Sequence, residues 1–217
     1  MKKVLLIIPA FNEEKNILNV FNIVKKYNET HNQKYDVIVI NDGSIDSTED
    51  ILKRNNIPHI ELIKNLGIGG AIQTGYKYAY ENNYDIAVQF DGDNQHDINY
   101  VSDLIKGLSK STFFRRMGIK IISFEIKAFT HIKITDPTSG FRAIDKKLIK
   151  YFKDNYPLEY PEPVSAVMLL RNGFKLKEIP VKMKERKKGI SSIYSWKSIY
   201  YMINVILSIF ITSIRRK

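Results

Sequence analysis

The chain contains no cysteine, which excludes disulfide bonds and any metal site built on thiolates. It also lacks a long apolar run near its start. The apolar segment at residues 3–8 is too short for the hydrophobic region of a signal peptide, and no small-residue cleavage site follows it. We therefore expect residues 3–8 to form the first strand of a folded domain. Apolar residues make up 44 % of the 217 residues, enough to build a core.

Charge is distributed unevenly along the chain. Residues 1–110 carry 12 basic and 15 acidic residues, a net charge of −3, whereas residues 111–217 carry 22 and 8, a net charge of +14. Such an asymmetry indicates that the second half meets an anionic partner. Nucleic acid, a membrane surface and a phosphorylated substrate all fit this requirement.

Short apolar runs alternate with helical patterns in the first half. The runs at residues 35–40, 57–63 and 84–90 have the length of buried strands. Asn12 is expected to cap the helix after the first strand, and Asp97 the helix that ends near Gly107. Alternating strands and helices predict an α/β fold with a mostly parallel sheet and helices on both faces.

Polar residues follow these strands, at the edge of the sheet where α/β proteins bind ligands. The pair Asp91 and Asp93, separated by Gly92, supplies hard oxygen ligands that suit Mg²⁺ or Mn²⁺. The alternative is an ordinary Asp-Gly surface turn. The glycines at residues 67–70 lack the third glycine and the later acidic residue of a dinucleotide-binding loop, which argues against a Rossmann oxidoreductase.

Five motifs in a fixed order carry a resemblance to a known family. They are Pro-Ala-Phe-Asn-Glu-Glu at 9–14, Asn-Asp-Gly-Ser at 41–44, Asn-Leu-Gly at 65–67, Asp-Gly-Asp-Asn-Gln-His at 91–96 and Asp-Pro-Thr-Ser-Gly-Phe-Arg at 136–142. From residue 3 to about 192 the chain resembles family 2 glycosyltransferases of the GT-A, nucleotide-diphospho-sugar transferase fold. The most similar branch is the dolichol-phosphate mannose synthase-like one.

The resemblance implies a nucleotide-sugar donor and assigns residues to it. The implied nucleotide-binding residues are Pro9, Ala10, Glu13, Asp42, Asn65, Gly69 and Asp91. Asp91, Asp93 and Gln95 are the implied ligands of Mg²⁺ or Mn²⁺ at the diphosphate. A metal held by carboxylates would neutralise the charge that develops on this leaving group.

The same resemblance implies transfer with inversion at the anomeric carbon. Asp136 matches the position proposed for the catalytic carboxylate near the acceptor oxygen. A phosphate acceptor is already ionised and scarcely needs a base, so Asp136 would then orient basic residues. Outside the family context, Asp136-Pro137 is typical of a turn.

Basic and hydroxyl side chains of the second half are candidates for binding the acceptor or its phosphate. These candidates are Arg115, Arg116, Ser139, Arg142, Arg186 and Ser191. Arg186 and Ser191 belong to a basic, glycine-containing loop that is either a phosphate clamp or a solvated surface loop. We expect helices at residues 112–130 and 162–170 and a half-exposed strand at 174–181.

Residues 193–217 are set apart from the transferase domain at 1–192, whose acceptor-side half starts near residue 111. Residues 199–214 are nearly all apolar, yet they fall short of the ~20 residues that span a bilayer. A weakly polar stripe favours an amphipathic helix that lies in a membrane interface or packs against a partner subunit. The basic end, residues 215–217, favours anionic headgroups.

This sequence departs from the family pattern at one place. After the helix that ends near Gly107, the family has a further strand and a Gly-Ser-Arg-type segment. Here residues 108–112 run directly into the expected helix, so we expect residues to be absent between Lys110 and Ser111.

Taken together, the motifs and the tail predict a metal-dependent, inverting glycosyltransferase at the cytoplasmic face of the cell membrane. Its partners would be a lipid-linked or glycan acceptor and an anionic membrane surface, and its C-terminal helix could form a homo-oligomer. The alternatives are a basic nucleic-acid-binding protein, disfavoured because the basic residues accompany an apolar tail, and a catalytically silent nucleotide-sugar-binding scaffold.

Overall fold

The computed structural model describes residues 2–92, 97–107, 139–179 and 195–214, and within the last range the side chains of 204–213. Five strands and seven helices lie in these ranges. In chain order they are β1 (Val4–Ala10), α1 (Ile17–Thr30), β2 (Asp36–Asn41), α2 (Thr48–Arg54), β3 (His59–Glu61), α3 (Gly67–Glu81), β4 (Ile86–Gln89), α4 (Asn99–Gly107), β5 (Arg142–Asp145), α5 (Lys146–Asn155), α6 (Pro161–Arg171) and α7 (Ser195–Ile214).

The strands form one mixed sheet in the order β3-β2-β1-β4-β5. The first four strands are parallel, and β5 is antiparallel to β4 with Gln89 opposite Arg142. Because β1 pairs with both β2 and β4, the direction of strand addition reverses at β1. Such a reversal opens a crevice at the carboxyl ends of the strands.

Two apolar cores cover the two faces of the sheet. Alternate residues of β1 point to opposite sides, so that Leu6 and Ile8 pack with α1, α2 and α4, whereas Leu5 and Ile7 pack with α3, α5 and α6. Burial on both faces explains why β1 is a continuous apolar run. The predicted α/β sheet with helices on both faces is confirmed.

Two local predictions from the sequence are wrong. Asn12 does not cap α1, which begins at Ile17 after Asn16. Asn12 instead adopts a left-handed backbone conformation with φ of 57°, and its side-chain Oδ1 accepts a hydrogen bond from the Ile45 N–H. Asparagine tolerates this conformation better than most residues, and here it joins the loops that follow β1 and β2.

The predicted strand at residues 174–181 is also wrong in its described part, because residues 174–179 are not a strand. Phe174 packs on Tyr151 with ring centroids 5.5 Å apart, while Leu176 is exposed. The alternation of apolar and basic residues here is therefore not that of a half-buried strand. Phe174 anchors a segment that otherwise lies on the surface. The predicted helix at 112–130 and the expected gap between Lys110 and Ser111 lie outside the described residues.

Helix α7 packs against α6 through a small apolar cluster. Val205 and Ile209, one turn apart, are buried against Ala166 and Val167. The Arg171 guanidinium donates a hydrogen bond to the Thr212 carbonyl near the end of α7. Within the ranges that the structure describes, no helix is both long enough and apolar enough to cross a membrane.

Candidate donor-binding site at the carboxyl edge of the sheet

The carboxyl ends of β2, β1 and β4 bring Asp42 and Asp91 to one edge of the sheet. Asp42 directly follows β2, and Asp91 lies two residues after Gln89, where β4 ends. Neighbouring strands lie about 4.8 Å apart, so the ends of β2 and β4, with β1 between them, are separated by about 10 Å. The two acidic residues therefore follow strands on either side of β1, at the same edge of the sheet.

Asp42 is built into the start of α3. Its side chain is 3 % exposed, its backbone N–H donates to the Ala10 carbonyl at 2.8 Å, and its Oδ1 accepts from the Leu66 N–H at 2.7 Å. Burial raises the pKa of the Asp42 carboxyl, and the N–H groups of Leu66 and Gly67 oppose that rise. The carboxylate thus lies beside the positive N-terminal end of a helix.

The loop after β2 is ordered by its own polar side chains. The buried Asn41 amide donates to Glu61 Oε2 at 2.6 Å and accepts from Ser44 Oγ at 2.5 Å. Gly43 has φ of 65°, and a Cβ on it would lie 2.8 Å from the Asn65 nitrogen. Glycine is required here because the loop carrying Asp42 touches the backbone that opens α3.

Glu13 joins the β1 loop to the β2 loop and faces the β4 loop. Its N–H donates to Thr48 Oγ1 at 2.9 Å, and its Oε2 accepts from Asn16 Nδ2 at 2.8 Å. A Cβ on Gly92 would lie 3.2 Å from the Pro9 carbonyl oxygen and 3.9 Å from Glu13 Cγ. The predicted residues Pro9 and Glu13 therefore lie close to Gly92, and the Ala10 carbonyl is held by the Asp42 N–H.

Two further predicted nucleotide-binding residues lie at the start of α3. Asn65 Oδ1 accepts from the Gly67 N–H at 2.9 Å. A Cβ on Gly69 would lie 2.3 Å from the Leu158 carbonyl oxygen, so the absence of a side chain lets α3 pack closely against residues 157–158. In the structure, Gly69 thus makes its close approach to the protein's own backbone at residues 157–158.

The Asp91 carboxylate lies against the segment that precedes β5. A Cβ on Gly140 would lie 3.2 Å from Asp91 Oδ1 and 3.0 Å from Gln89 Nε2. Ser139, its neighbour, accepts a hydrogen bond at its carbonyl from Arg142 Nε at 2.8 Å. The described part of this motif, residues 139–142, therefore reaches the Asp91 carboxylate through Gly140.

Arg142 also contacts α6, where the structure reveals polar residues that the sequence did not indicate. Arg142 Nη1 donates to Ser165 Oγ at 2.7 Å. Burial raises the pKa of the nearby Glu162 carboxyl, and the Arg142 charge and the Gln89 amide oppose that rise. Glu162, an acidic residue between two prolines at the start of a predicted helix, was the available signal for this cluster.

The remaining predicted site residues lie outside the described ranges. They are the metal ligands Asp93 and Gln95, the catalytic candidate Asp136, and the acceptor-binding candidates Arg115, Arg116, Arg186 and Ser191. Among the residues that the structure describes, no group of three or more His, Cys, Asp or Glu side chains is placed to hold a metal ion. Asp91 is the described member of the predicted metal site.

The architecture of the sheet defines the class of this protein. A parallel sheet with a switch point, closed by an antiparallel strand and carrying two acidic strand ends, is the GT-A architecture. The chain is similar over its whole length to the mannosyltransferase from Pyrobaculum calidifontis solved with GDP-Man and Mn²⁺, with a TM-score of 0.71, 18 % identity and 65 % of that chain covered. Glucosyl-3-phosphoglycerate synthase from Mycobacterium tuberculosis matches 68 % of this chain and 57 % of its own, with a TM-score of 0.53 and 21 % identity.

The family itself follows from the sequence comparison. Residues 5–157 match the model of Glycosyl transferase family 2, so the chain belongs to that family and is a glycosyltransferase. It is 30 % identical over 223 residues to UDP-N-acetylglucosamine--dolichyl-phosphate N-acetylglucosaminyltransferase of Methanococcus voltae, covering 83 % of this chain and 85 % of that protein. It is 24 % identical to dolichol-phosphate mannosyltransferase of Pyrococcus furiosus, covering 88 % of this chain and 59 % of that protein.

Proposed function

We propose that this glycosyltransferase moves a sugar from a UDP- or GDP-linked donor to a lipid-linked acceptor, either polyprenyl phosphate or a growing cell-surface glycan. The transfer inverts the anomeric carbon and uses Mg²⁺ or Mn²⁺. The observation that carries the proposal is the pair of carboxylates, Asp42 and Asp91, on either side of β1 at the carboxyl edge of the sheet. Ligands of α/β proteins bind at such a switch point.

The nucleotide would lie between the β1 loop and the start of α3. In this arrangement Pro9, Ala10 and Glu13 would border one side of the nucleotide, and Asp42, which accepts from the Leu66 N–H, would border the other. Asp42 is already oriented by the Leu66 N–H, so it can accept a hydrogen bond from the base or ribose without first being ordered. Asn65 and Gly69 remain predicted contributors, through the loop and helix start that they shape.

The diphosphate would lie over β4, at Asp91. A carboxylate at a strand end, close to the backbone of Gly140, has the hard oxygen donors that Mg²⁺ and Mn²⁺ prefer. Asp91, with the predicted ligands Asp93 and Gln95, would hold the ion. When bound, the ion supplies positive charge that stabilises the departing nucleotide diphosphate.

The chain's own residues would then orient the acceptor for attack on the anomeric carbon from the face opposite the diphosphate. Asp136 is the predicted carboxylate at the acceptor oxygen. If the acceptor is a hydroxyl, Asp136 takes its proton as the new bond forms; if it is a phosphate, the attacking oxygen is already ionised and Asp136 orients the cationic side chains around it.

A lipid-phosphate acceptor is supported by the relatives and by charge. The proteins of Methanococcus voltae and Pyrococcus furiosus are named for transfer to dolichyl phosphate and dolichol phosphate. The net charge of +14 in residues 111–217 complements an anionic acceptor and an anionic bilayer surface. Ser139 and Arg142 are the described members of the predicted acceptor-binding set, with Arg115, Arg116, Arg186 and Ser191 as the others.

The face of α7 turned away from α6 would meet the membrane surface. Leu207, Phe210 and Ile211 are exposed there, next to the basic residues 215–217 in sequence. An exposed apolar face beside positive charge is typical of helices that lie in a bilayer interface. We therefore propose peripheral association with the cytoplasmic face of the cell membrane. Dimerisation in detergent-free solution, with no binding to vesicles, would favour an intersubunit role for α7.

Thermal unfolding in the presence of nucleotides tests the donor proposal. UDP- and GDP-sugars should raise the midpoint only when Mn²⁺ or Mg²⁺ is also present, and one of the two bases should be preferred. Asp91→Asn should abolish the metal-dependent part of the shift. Asp85→Asn is the matched control, because Asp85 lies before the opposite end of β4 and accepts from the Lys3 N–H.

Two results would refute the donor proposal. One is a wild-type protein that is not stabilised by any nucleotide sugar with either metal. The other is an Asp91→Asn protein that responds to metal and nucleotide as the wild type does.

A further inference from the structure

Behind Asp91 lies a group of polar side chains, of which the proposed chemistry uses only Arg142. Gln89 is 1 % exposed and Ser165 is fully buried, although both carry polar atoms. Burying such groups costs free energy unless they are hydrogen-bonded. Their partners therefore show what the cluster holds together. The cluster, which we term the α6 clamp, consists of Gln89, Arg142, Tyr156, Glu162 and Ser165.

Gln89 ties the end of β4 to the chain that leads into α6. The Tyr156 hydroxyl donates to Gln89 Oε1 at 3.3 Å, and Gln89 Nε2 donates to Glu162 Oε1 at 3.5 Å. Gln89 is two residues before Asp91, so we expect a change in the Gln89 contacts to shift the strand end that carries the Asp91 carboxylate. Both sides of this buried amide are engaged with the second half of the chain.

Arg142 closes the clamp from β5. Its Nε donates to the Ser139 carbonyl at 2.8 Å, and its Nη1 donates to Ser165 Oγ at 2.7 Å. Ser165 Oγ in turn donates to the Glu162 carbonyl at 3.0 Å. The positive charge of Arg142 opposes the rise that burial causes in the pKa of Glu162, so Arg142 favours the ionised form of that carboxyl.

We propose that Glu162 is a positioning residue of the transfer site: with Arg142 and Gln89 it holds α6 and the Ser139–Gly140 segment against the Asp91 carboxylate. Gly140 is the point of contact, since a Cβ there would lie 3.2 Å from Asp91 Oδ1. The effect that we assign to the clamp, which is to orient Asp91 toward the sugar donor, rests on the proposed function. The clamp itself is a structural claim that can be tested without any substrate.

The clamp also links Asp91 to the C-terminal helix. Its polar members Glu162 and Ser165 are on α6, and the same helix buries Ala166 and Val167 against Val205 and Ile209 of α7. The sheet carboxylate and the helix proposed to meet the membrane are thus joined through one eleven-residue helix. Glu162 lies at the sheet end of this connection.

Hydrogen exchange measured by mass spectrometry tests the clamp directly. In Glu162→Ala, amides of residues 139–145 should exchange faster by about tenfold, the size expected when a hydrogen bond to a charged group is lost. Glu162→Gln keeps an oxygen that accepts from Gln89 and should exchange almost as the wild type does. Glu159→Ala is the matched control, because Glu159 is exposed in the same connection before α6.

A second variant keeps the test valid if Glu162→Ala does not fold. Gln89→Met has a similar shape and removes both hydrogen bonds of the Gln89 amide, so it should loosen the same segment. Unchanged exchange at residues 139–145 in the folded variants would overturn the clamp. Equal loss of protection in Glu162→Gln and Glu162→Ala would overturn the role given to the Glu162–Gln89 contact.

Binding and kinetics then separate positioning from general stability. Glu162→Ala should weaken Mn²⁺-dependent nucleotide binding about tenfold and lower kcat more than it raises KM for the acceptor, with rescue by Glu162→Gln. Faster exchange with unchanged nucleotide affinity would overturn the positioning of Asp91. If the wild type bound no nucleotide at all, the proposed function would fall, while the exchange data would still decide the clamp.

Discussion

Asp42 combines a buried carboxylate with a place at the carboxyl edge of the sheet. Its Oδ1 is 2.7 Å from the Leu66 nitrogen, and burial raises the pKa of its carboxyl. The folded state therefore holds the proton on Asp42 more tightly than the unfolded state does. The stability that this group contributes is full below its ordinary pKa and is lost as the pH rises through the raised value. At neutral pH the ionised carboxylate costs stability.

The change Asp42→Asn should consequently raise the midpoint of thermal unfolding at neutral pH. The amide carries no charge and keeps an oxygen for the Leu66 N–H, and the difference from the wild type should shrink toward about pH 4. The same variant should bind nucleotide at least tenfold more weakly, because one hydrogen-bonding partner of the donor changes. Calorimetric scans across pH, together with nucleotide titrations, measure both effects.

Asp36→Asn is the control for Asp42→Asn, since Asp36 lies at the opposite end of β2 and accepts from the Tyr84 hydroxyl. It should leave nucleotide binding unchanged. A lower unfolding midpoint for Asp42→Asn at neutral pH, with nucleotide affinity like that of the wild type, would contradict both parts of the account of Asp42.

Single residues also show where the sequence was informative about the site. Asp42 and Asp91 were predicted because each follows an apolar run of strand length. The carboxyl ends of parallel strands lie at the same edge of a sheet, which is where ligands bind in α/β proteins. Glu162 and Gln89 were not predicted, because their importance depends on a contact between residues 73 positions apart. No local pattern carries that information.

Among the strands, those that appear in the sequence as apolar runs were predicted, and β5 was not. β1, β2 and β4 are buried on both faces and appear as apolar runs. β5 was missed because its sequence, Arg-Ala-Ile-Asp, is not an apolar run, and it forms a strand through its antiparallel pairing with β4. The proposed strand after α6 was wrong because the segment lies on the surface with Phe174 as its anchor.

Helix α7 has two faces with different predicted roles. Ile209 is fully buried against α6, whereas Leu207, Phe210 and Ile211 are exposed. Ile209→Ala should lower the free energy of unfolding by about 3 kcal/mol, because it leaves a cavity between α6 and α7. Replacing the three exposed residues with serine should change stability by less than about 1 kcal/mol.

We expect vesicle binding to rank the two α7 variants in the opposite order from stability: the triple serine variant should be more impaired than Ile209→Ala in binding phosphatidylglycerol vesicles. The triple serine variant should lose most of its co-sedimentation with vesicles, and folded Ile209→Ala protein should retain it. Vesicle binding that survives the triple substitution would assign membrane contact to another surface. Self-association lost in the triple variant would instead assign its exposed face to a partner subunit.

At the scale of the whole molecule, the two halves of the chain differ in charge and in the elements that they supply. The first half is nearly neutral and supplies β1 to β4 with both described acidic strand ends, while the second half carries +14 and supplies β5, α6 and α7. This division is consistent with donor binding in the first half and an anionic lipid acceptor in the second. The difference in charge between the two halves could be read from the sequence. The contact of Gly140 in the second half with Asp91 in the first half could be seen only in the structure.

The most direct measurement is sugar transfer itself. Purified protein, vesicles containing a polyprenyl phosphate, Mn²⁺ and a radiolabelled UDP- or GDP-sugar should yield a labelled lipid that is extracted into organic solvent. Asp91→Asn should form at least a hundredfold less product, since it removes a carboxylate from the charge stabilisation of the leaving group, and Asp85→Asn should match the wild type. Labelled lipid formed equally by Asp91→Asn, or sugar transferred only to water-soluble acceptors, would contradict the account.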